Sequence, residues 1–231
     1  MLSIEQANQG YLAEVDILCD LTPDEIETLG QRAPMRAVPA GTTFYRAGDT
    51  GEVLFILKVG RVRLYHLSPD GKAFTVALIE DGTIFGEMAM MGQLMHDNYA
   101  ESLSPCTLCL MSRTDVQALL LGDPRIARRI AEILGRRLLD AEQRLADFAF
   151  KAQPQRLATL LASLADRQPP RLFHAGQREI RLTHEQIADL VGTHRETATK
   201  ILNELRDAGL IELKRGRVIV LNSSALRIWG S

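Results

Sequence analysis

Between Thr183 and Leu205 this 231-residue chain spells two short helices parted by one glycine, and that punctuation fixes the layout of its C-terminal third. Thr183 has Gln186 three residues on, ahead of an apolar-periodic run of Ile187, Ala188 and Val191. At that spacing a side chain and a backbone amide satisfy each other at a helix start. Gly192 ends the helix, since glycine takes the left-handed backbone of a tight turn without steric cost. Thr193, with Glu196 three residues later, is the expected cap of a second helix. Two helices joined by about three residues make a helix-turn-helix.

The second helix has Ala198, Ile201, Leu202 and Leu205 on one face, with Arg195, Glu196, Thr199, Lys200 and Asn203 elsewhere. An arginine fork matches guanine and a glutamate accepts from the cytosine amino group, so Arg195, Glu196 and Lys200 are the candidate base-reading residues. After Gly209, two β-rich runs (210–213 and 218–221) flank the basic turn Lys214-Arg215-Gly216-Arg217. This is a wing suited to backbone phosphate. Candidate phosphate contacts are Thr183, His184, Thr193, His194, Thr197, Thr199, Lys214, Arg215 and Arg217. A solvated charged face would explain any one helix, but cap, glycine turn, second helix and basic hairpin in this order point to duplex DNA.

Upstream, Thr22 caps a helical segment over 23–32. Short β-rich runs then alternate with turn signals over 36–113. The runs are 42–45, 53–58, 61–67, 74–78 and 107–111, with Asp70-Gly71 as a hairpin signal. Many short strands at this spacing imply a barrel, sandwich or roll. The stretch Ile84 to Ala89 breaks the alternation. Its Gly86-Glu87 pair is read either as a plain turn or as the start of a short helix whose amides suit a phosphate.

From Pro124 to Phe150 nothing interrupts a helical pattern. Ala127, Leu134, Ala141 and Phe148 fall seven apart, with Ala131, Leu138 and Leu145 between them, a seam of the coiled-coil kind. Ile126, Ile130 and Ile133 form a second stripe. One stripe is expected to pack on the β-domain and the other on a twin helix, giving a homodimer whose two reading helices lie about 34 Å apart on an inverted repeat. Gln153-Pro154 starts the next helix, leaving a hinge at 150–152.

The net charge of −2 divides unevenly. Residues 151–231 carry 13 Lys+Arg against 8 Asp+Glu, and residues 1–150 carry 14 against 21. A basic C-terminal part on an acidic N-terminal part suits local attraction to DNA. Cys19, Cys106 and Cys109 make no disulfide framework, and Cys106 and Cys109 would face opposite sides of one strand. The five histidines show no metal spacing, so no metal and no cofactor are expected. No nucleophile–base pair or carboxylate pair suggests catalysis, and an enzyme would not need the capped reading helix. Without a membrane span or a secretory signal, a cytoplasmic location is expected.

A β-rich domain with a Phe-Gly-Glu turn, a long seam-bearing helix and a winged helix holding Thr193-His194-Arg195-Glu196-Thr197-Ala198-Thr199-Lys200 resembles the CRP/FNR family of bacterial transcription regulators. The resemblance covers nearly the whole chain. It implies an α+β protein: an N-terminal β-roll (double-stranded β-helix or jelly-roll, cyclic-nucleotide-binding-like) over 1–123, a dimerisation helix over 124–150 and a DNA-binding winged helix-turn-helix over 151–231. It also implies a TGTGA-like half-site, an activator role and contact with RNA polymerase through the loop at about 168–177.

On the effector side Gly86 and Glu87 match the family's ribose-binding pair. His96 and Asp97 stand where cyclic-nucleotide responders have an arginine and a serine, and Ala141 and Glu142 stand where they have hydroxyl residues. Lys200 replaces an arginine and loses its planar fork. These departures imply DNA binding without a need for cyclic AMP, or else a different small effector. Iron–sulfur sensing lacks its cysteines, and a lone His66 or His96 is a thin basis for haem.

Overall fold

The structure is a computed structural model that describes residues 18–32, 34–49, 53–86, 98–117, 123–168 and 177–229. Glu87, His96 and Asp97, and most of the loop at 168–177, lie outside the described residues. The chain divides into two compact units, Met1–Gly71 with Val76–Asp140, and Lys72–Thr75 with Ala141–Ser231.

Helix α1 (Pro23–Arg32) opens the described part of the first unit. Thr22 caps it: its amide and hydroxyl both donate to the Glu25 carboxylate, at 2.7 and 2.9 Å. Arg125 holds the same carboxylate at 2.7 Å, and with Thr22 it brings the Glu25 carboxyl down to about 2.

Eight strands follow: β1 (Met35–Val38), β2 (Thr43–Tyr45), β3 (Val53–Val59), β4 (Val62–Leu67), β5 (Ala73–Ile79), β6 (Thr83–Phe85), β7 (Tyr99–Ser102) and β8 (Cys106–Ser112). They form two four-stranded sheets, ordered β1-β8-β3-β6 and β2-β7-β4-β5. Two sheets of this kind make a jelly-roll. Five of the strands are the β-rich runs of the sequence, and three are not. β1 and β7 are four residues of mixed polarity whose edges are satisfied only by pairing with β8 and with β2 and β4. Ile84 and Phe85 lie in β6, paired to β3, so the break in alternation begins after them.

Strand β3 shows how the cores are divided. Leu54 and Ile56 point to one cluster and Phe55 and Leu57 to another, so the strand is apolar on both faces. The cluster shared by the two sheets includes Tyr45, Phe55, Leu64, Phe85 and Leu108, with Phe55 stacked on Phe85 at 4.6 Å. The other lies under α1 and the long helix and takes in Ile126, Ile130 and Ile133. Burying each of these isoleucines contributes roughly 1.5–3 kcal/mol. Cys106 belongs to one cluster and Cys109 to the other, on opposite faces of β8, and burial pushes both thiols up. Gly60 has φ +115°, and a Cβ there would lie 2.6 Å from both Cys106 Sγ and the Pro105 carbonyl oxygen, so this turn admits only glycine.

After a single helical turn, α2 (Arg113–Asp115), the long helix α3 runs over Pro124–Phe150. The second unit continues with α4 (Gln153–Asp166), β9 (Arg178–Ile180), α5 (His184–Val191), α6 (Arg195–Asp207), β10 (Ile211–Lys214), β11 (Arg217–Val220) and α7 (Ser223–Ile228). Strands β10, β11 and β9 form a three-stranded antiparallel sheet in that order. Its strand β9 was not among the β-rich runs of the sequence. Leu157, Leu161, Ile187, Val191, Ile201, Leu205 and Val218 are buried in this unit.

Candidate nucleic-acid interface

The first helix of the pair begins where Thr183 caps it. The Thr183 hydroxyl accepts from the Gln186 amide at 3.2 Å, and the Thr183 amide donates to Gln186 Oε1 at 2.8 Å. Gly192 closes it at φ +69°, ψ +43°, with its amide returned to the Ala188 carbonyl. The start of α6 differs from the sequence expectation. Its cap is His194 and not Thr193, and the His194 side chain makes no capping bond. Thr193 is only 4% exposed, and its hydroxyl donates to Gln153 Oε1 at 3.3 Å. Thr193 therefore ties the turn to α4 and is corrected from candidate phosphate contact to internal strut: a buried hydroxyl with an internal partner does not present itself to a ligand.

Ala198, Ile201, Leu202 and Leu205 form the buried face of α6. Arg195, Glu196 and Lys200 are exposed and, among the described residues, take no hydrogen-bond or ion-pair partner. Arg195 and Glu196 occupy the first turn, the end of a reading helix that meets base edges in a major groove. His194 is exposed beside them, and Thr197 and Thr199 are half-buried. His184 Nδ1 lies 3.0 Å from Thr199 Oγ1, joining the two helices. Burial, and then the positive charge of Arg195, hold the His184 imidazole below its ordinary value. At neutral pH it is uncharged.

The wing is a tight hairpin. Lys214 pairs with Arg217 across the strands, leaving Arg215 and Gly216 as a two-residue loop. Gly216 takes φ +69°, as such loops require. Its cations are not equivalent. Lys214 lies 3.5 Å from Glu212 and Arg217 lies 3.4 Å from Glu179, while Arg215 is exposed and has no partner among the described residues. Glu179, on β9, escaped the sequence reading. Its only signal there was an acid two residues before Arg181 in a short β-compatible stretch.

The seam of α3 is divided as well. Leu134 packs against the β-roll core, and Ala127 is half-buried. Phe148 meets Phe74 edge-to-face at 5.5 Å and lies under the Arg156 guanidinium at 4.6 Å, all within the second unit. Leu134 and Phe148 thus make intrachain contacts, with Phe148 still 36% exposed. Ala131, Leu138, Ala141 and Leu145 remain outward, Leu138 at 60% and Leu145 at 71% exposure, joined by Leu139, which the heptad count passed over.

Of the effector candidates, Gly86 is buried with φ +77° at the end of β6, and Ala141 and Glu142 are exposed on α3. Arg63 is engaged by the Glu101 carboxylate, with Nε and a terminal nitrogen at 3.0 and 2.8 Å. No group of three metal-ligating side chains occurs among the described residues, and no helix there is long and apolar enough to cross a membrane.

Residues 35–123 match the cyclic nucleotide-binding domain model and residues 155–229 the Crp-like helix-turn-helix domain. The cyclic AMP receptor protein of Thermus thermophilus is 30% identical over 206 residues, 89% of this chain and 92% of that one. The chain belongs to the CRP/FNR family of transcription regulators. Another CRP/FNR relative, the CRP-like cAMP-activated global transcriptional regulator of Mycobacterium tuberculosis, is 28% identical over 93% of this chain and 96% of its own. The c-di-GMP responsive global regulator CLP of Xanthomonas campestris has the same fold, with a TM-score of 0.74 at 25% identity over 86% of this chain and 99% of that one. As in these CRP/FNR proteins, a cyclic-nucleotide-binding fold precedes a DNA-binding helix-turn-helix, and the relatives are regulators, not enzymes.

Proposed function

We propose that this CRP/FNR regulator binds DNA as a homodimer, reading a TGTGA-like inverted repeat with Arg195, Glu196 and Lys200, and that it does so without requiring cyclic AMP. The observation that carries the reading is the exposed, unpaired trio on a helix whose opposite face is buried. Side chains left without internal partners at the N-terminal end of a reading helix are available to base edges. His184, Thr183, His194, Thr197, Thr199 and Arg215 of the wing surround them as phosphate contacts. The outward stripe of Ala131, Leu138, Ala141 and Leu145 supports pairing of two long helices, which sets the half-sites one helical turn apart.

Independence from cyclic AMP is supported by residue chemistry. Between Arg63 and Arg113 the sequence holds no arginine for a cyclic phosphate, and Arg63 is held by Glu101. Ala141 and Glu142 offer no hydroxyl to a base. The regulator is expected to act as an activator touching RNA polymerase through the loop at about 168–177, as family resemblance implies. Purified protein should shift a TGTGA-type palindrome with no ligand added. A strict requirement for cyclic AMP would overturn the reading.

A second reading keeps the same DNA role and adds another nucleotide at Gly86-Glu87. It is favoured by the likeness to a c-di-GMP responsive regulator. Calorimetric titration of the chain against a panel of nucleotides separates the two.

A further inference from the structure

One face of the wing sheet carries a strip of charge that is internally matched. Lys214 of β10 stands opposite Arg217 of β11, and Ile219 stands opposite both Glu212 and Glu179. Alternate residues of a strand share a face, so Glu212, Lys214, Arg217 and Glu179 lie on one side of the sheet. Arg181 reaches the same carboxylate just beyond β9.

The geometry of Glu179 is that of a sheltered acceptor between two exposed cations. Its side chain is 16% exposed, Arg181 Nε lies 2.9 Å from one oxygen, and one Arg217 terminal nitrogen lies 3.4 Å from both. The Arg217 contact is the longer of the two, 3.4 against 2.9 Å, and Arg217 is the residue that closes the loop carrying Arg215.

We propose that Glu179 is an internal substitute for a DNA phosphate. It holds Arg217 in a pair that DNA must break, so the wing offers Arg215 as its ready cation. This rests on the DNA-binding reading above and adds a residue that sets the sequence-independent part of the affinity. When Arg217 exchanges Glu179 for a phosphate, the cation released from DNA is offset by one drawn to the freed carboxylate, whereas neutralising a phosphate with an unpaired cation gives a net release. A smaller sequence-independent contribution raises the ratio of specific to non-specific binding, the quantity that matters among many competing sites.

The test uses the full chain and fluorescence anisotropy on two duplexes, a TGTGA-type palindrome and a scrambled one, across a salt series. E179Q should tighten both duplexes alike and steepen the log–log salt slope by about 0.9. Its advantage should then shrink about threefold between ~50 and ~200 mM salt. Adding R217A to E179Q should remove the gain. R217A alone should leave the slope nearly unchanged, whereas R215A should lower it by about 1.

An E179Q chain that melts like wild type and shows an unchanged or shallower slope would overturn the proposal, leaving Glu179 a strut of the wing. If E179Q does not fold, the single variants decide: equal slope losses for R217A and R215A overturn it, and a loss for R215A alone supports it. Failure of the wild-type chain to bind either duplex is a separate result that removes the DNA-binding reading itself.

Discussion

His184 and Thr199 are joined side chain to side chain at 3.0 Å, tying the first residue of one helix to the exposed flank of the reading helix. The bond places a titratable ring at the interface and fixes the register of the two helices, so protonation there acts on stability and on the site together.

The pH dependence has a definite sign. Burial first, and Arg195 second, lower the His184 pKa, so the folded state resists the proton that the unfolded chain accepts. Stability is full above the ordinary imidazole value of about 6.5 and falls as pH drops through and below it. H184A should flatten this dependence in thermal unfolding and cost about 1 kcal/mol near pH 7.5 through the lost bond. An unchanged pH slope in H184A would assign the effect elsewhere.

Arg195 and Arg215 should fail differently. R195A is expected to cost about 1–3 kcal/mol and to relax preference at one base pair, because a bidentate fork to guanine is lost. R215A should weaken all duplexes alike and reduce the salt slope by about 1. Selection from random duplexes with each variant reads both outcomes, and an equal loss at every position from R195A would remove its reading role.

Leu138 and Leu145 are the test of the paired helix. Charges placed there by L138E and L145E should yield a monomer in sedimentation and a large loss of palindrome binding. I130A serves as contrast. It removes core volume and should lower stability by roughly 2–5 kcal/mol without changing the oligomeric state. A monomeric wild-type chain that still binds the full palindrome would refute the dimer.

Gly192 should tolerate no side chain. Its φ is +69°, and a Cβ there would lie 3.2 and 3.3 Å from two carbons of the Phe148 ring. G192A is expected to destabilise by about 1–2 kcal/mol from the backbone alone, with the crowding added. Urea unfolding measures it, and a loss below about 0.5 kcal/mol would show that the turn relaxes.

The legible parts of the chain are those whose hydrogen bonds close within a few residues. The Thr22 cap, Thr183 with Gln186, and the glycine stop at 192 were readable because each partner sits three or four positions away. The two isoleucine and leucine stripes of the long helix were readable because its period is fixed by backbone geometry. Strands β1, β6, β7 and β9 were not, since their short segments become strands only through pairing with distant ones.

Sequence alone determined the order of parts: a β-rich domain, a long helix, then two capped helices and a basic hairpin with Arg195, Glu196 and Lys200 facing away from the apolar stripe. The tertiary structure decided which side chains are already spoken for. Gln153 claims Thr193, Phe74 and Arg156 engage Phe148, and Glu179 claims Arg217, each across a separation that no local pattern records. Local periodicity sets where a side chain points, but its partner is chosen by which distant segment the folded core brings within bonding distance.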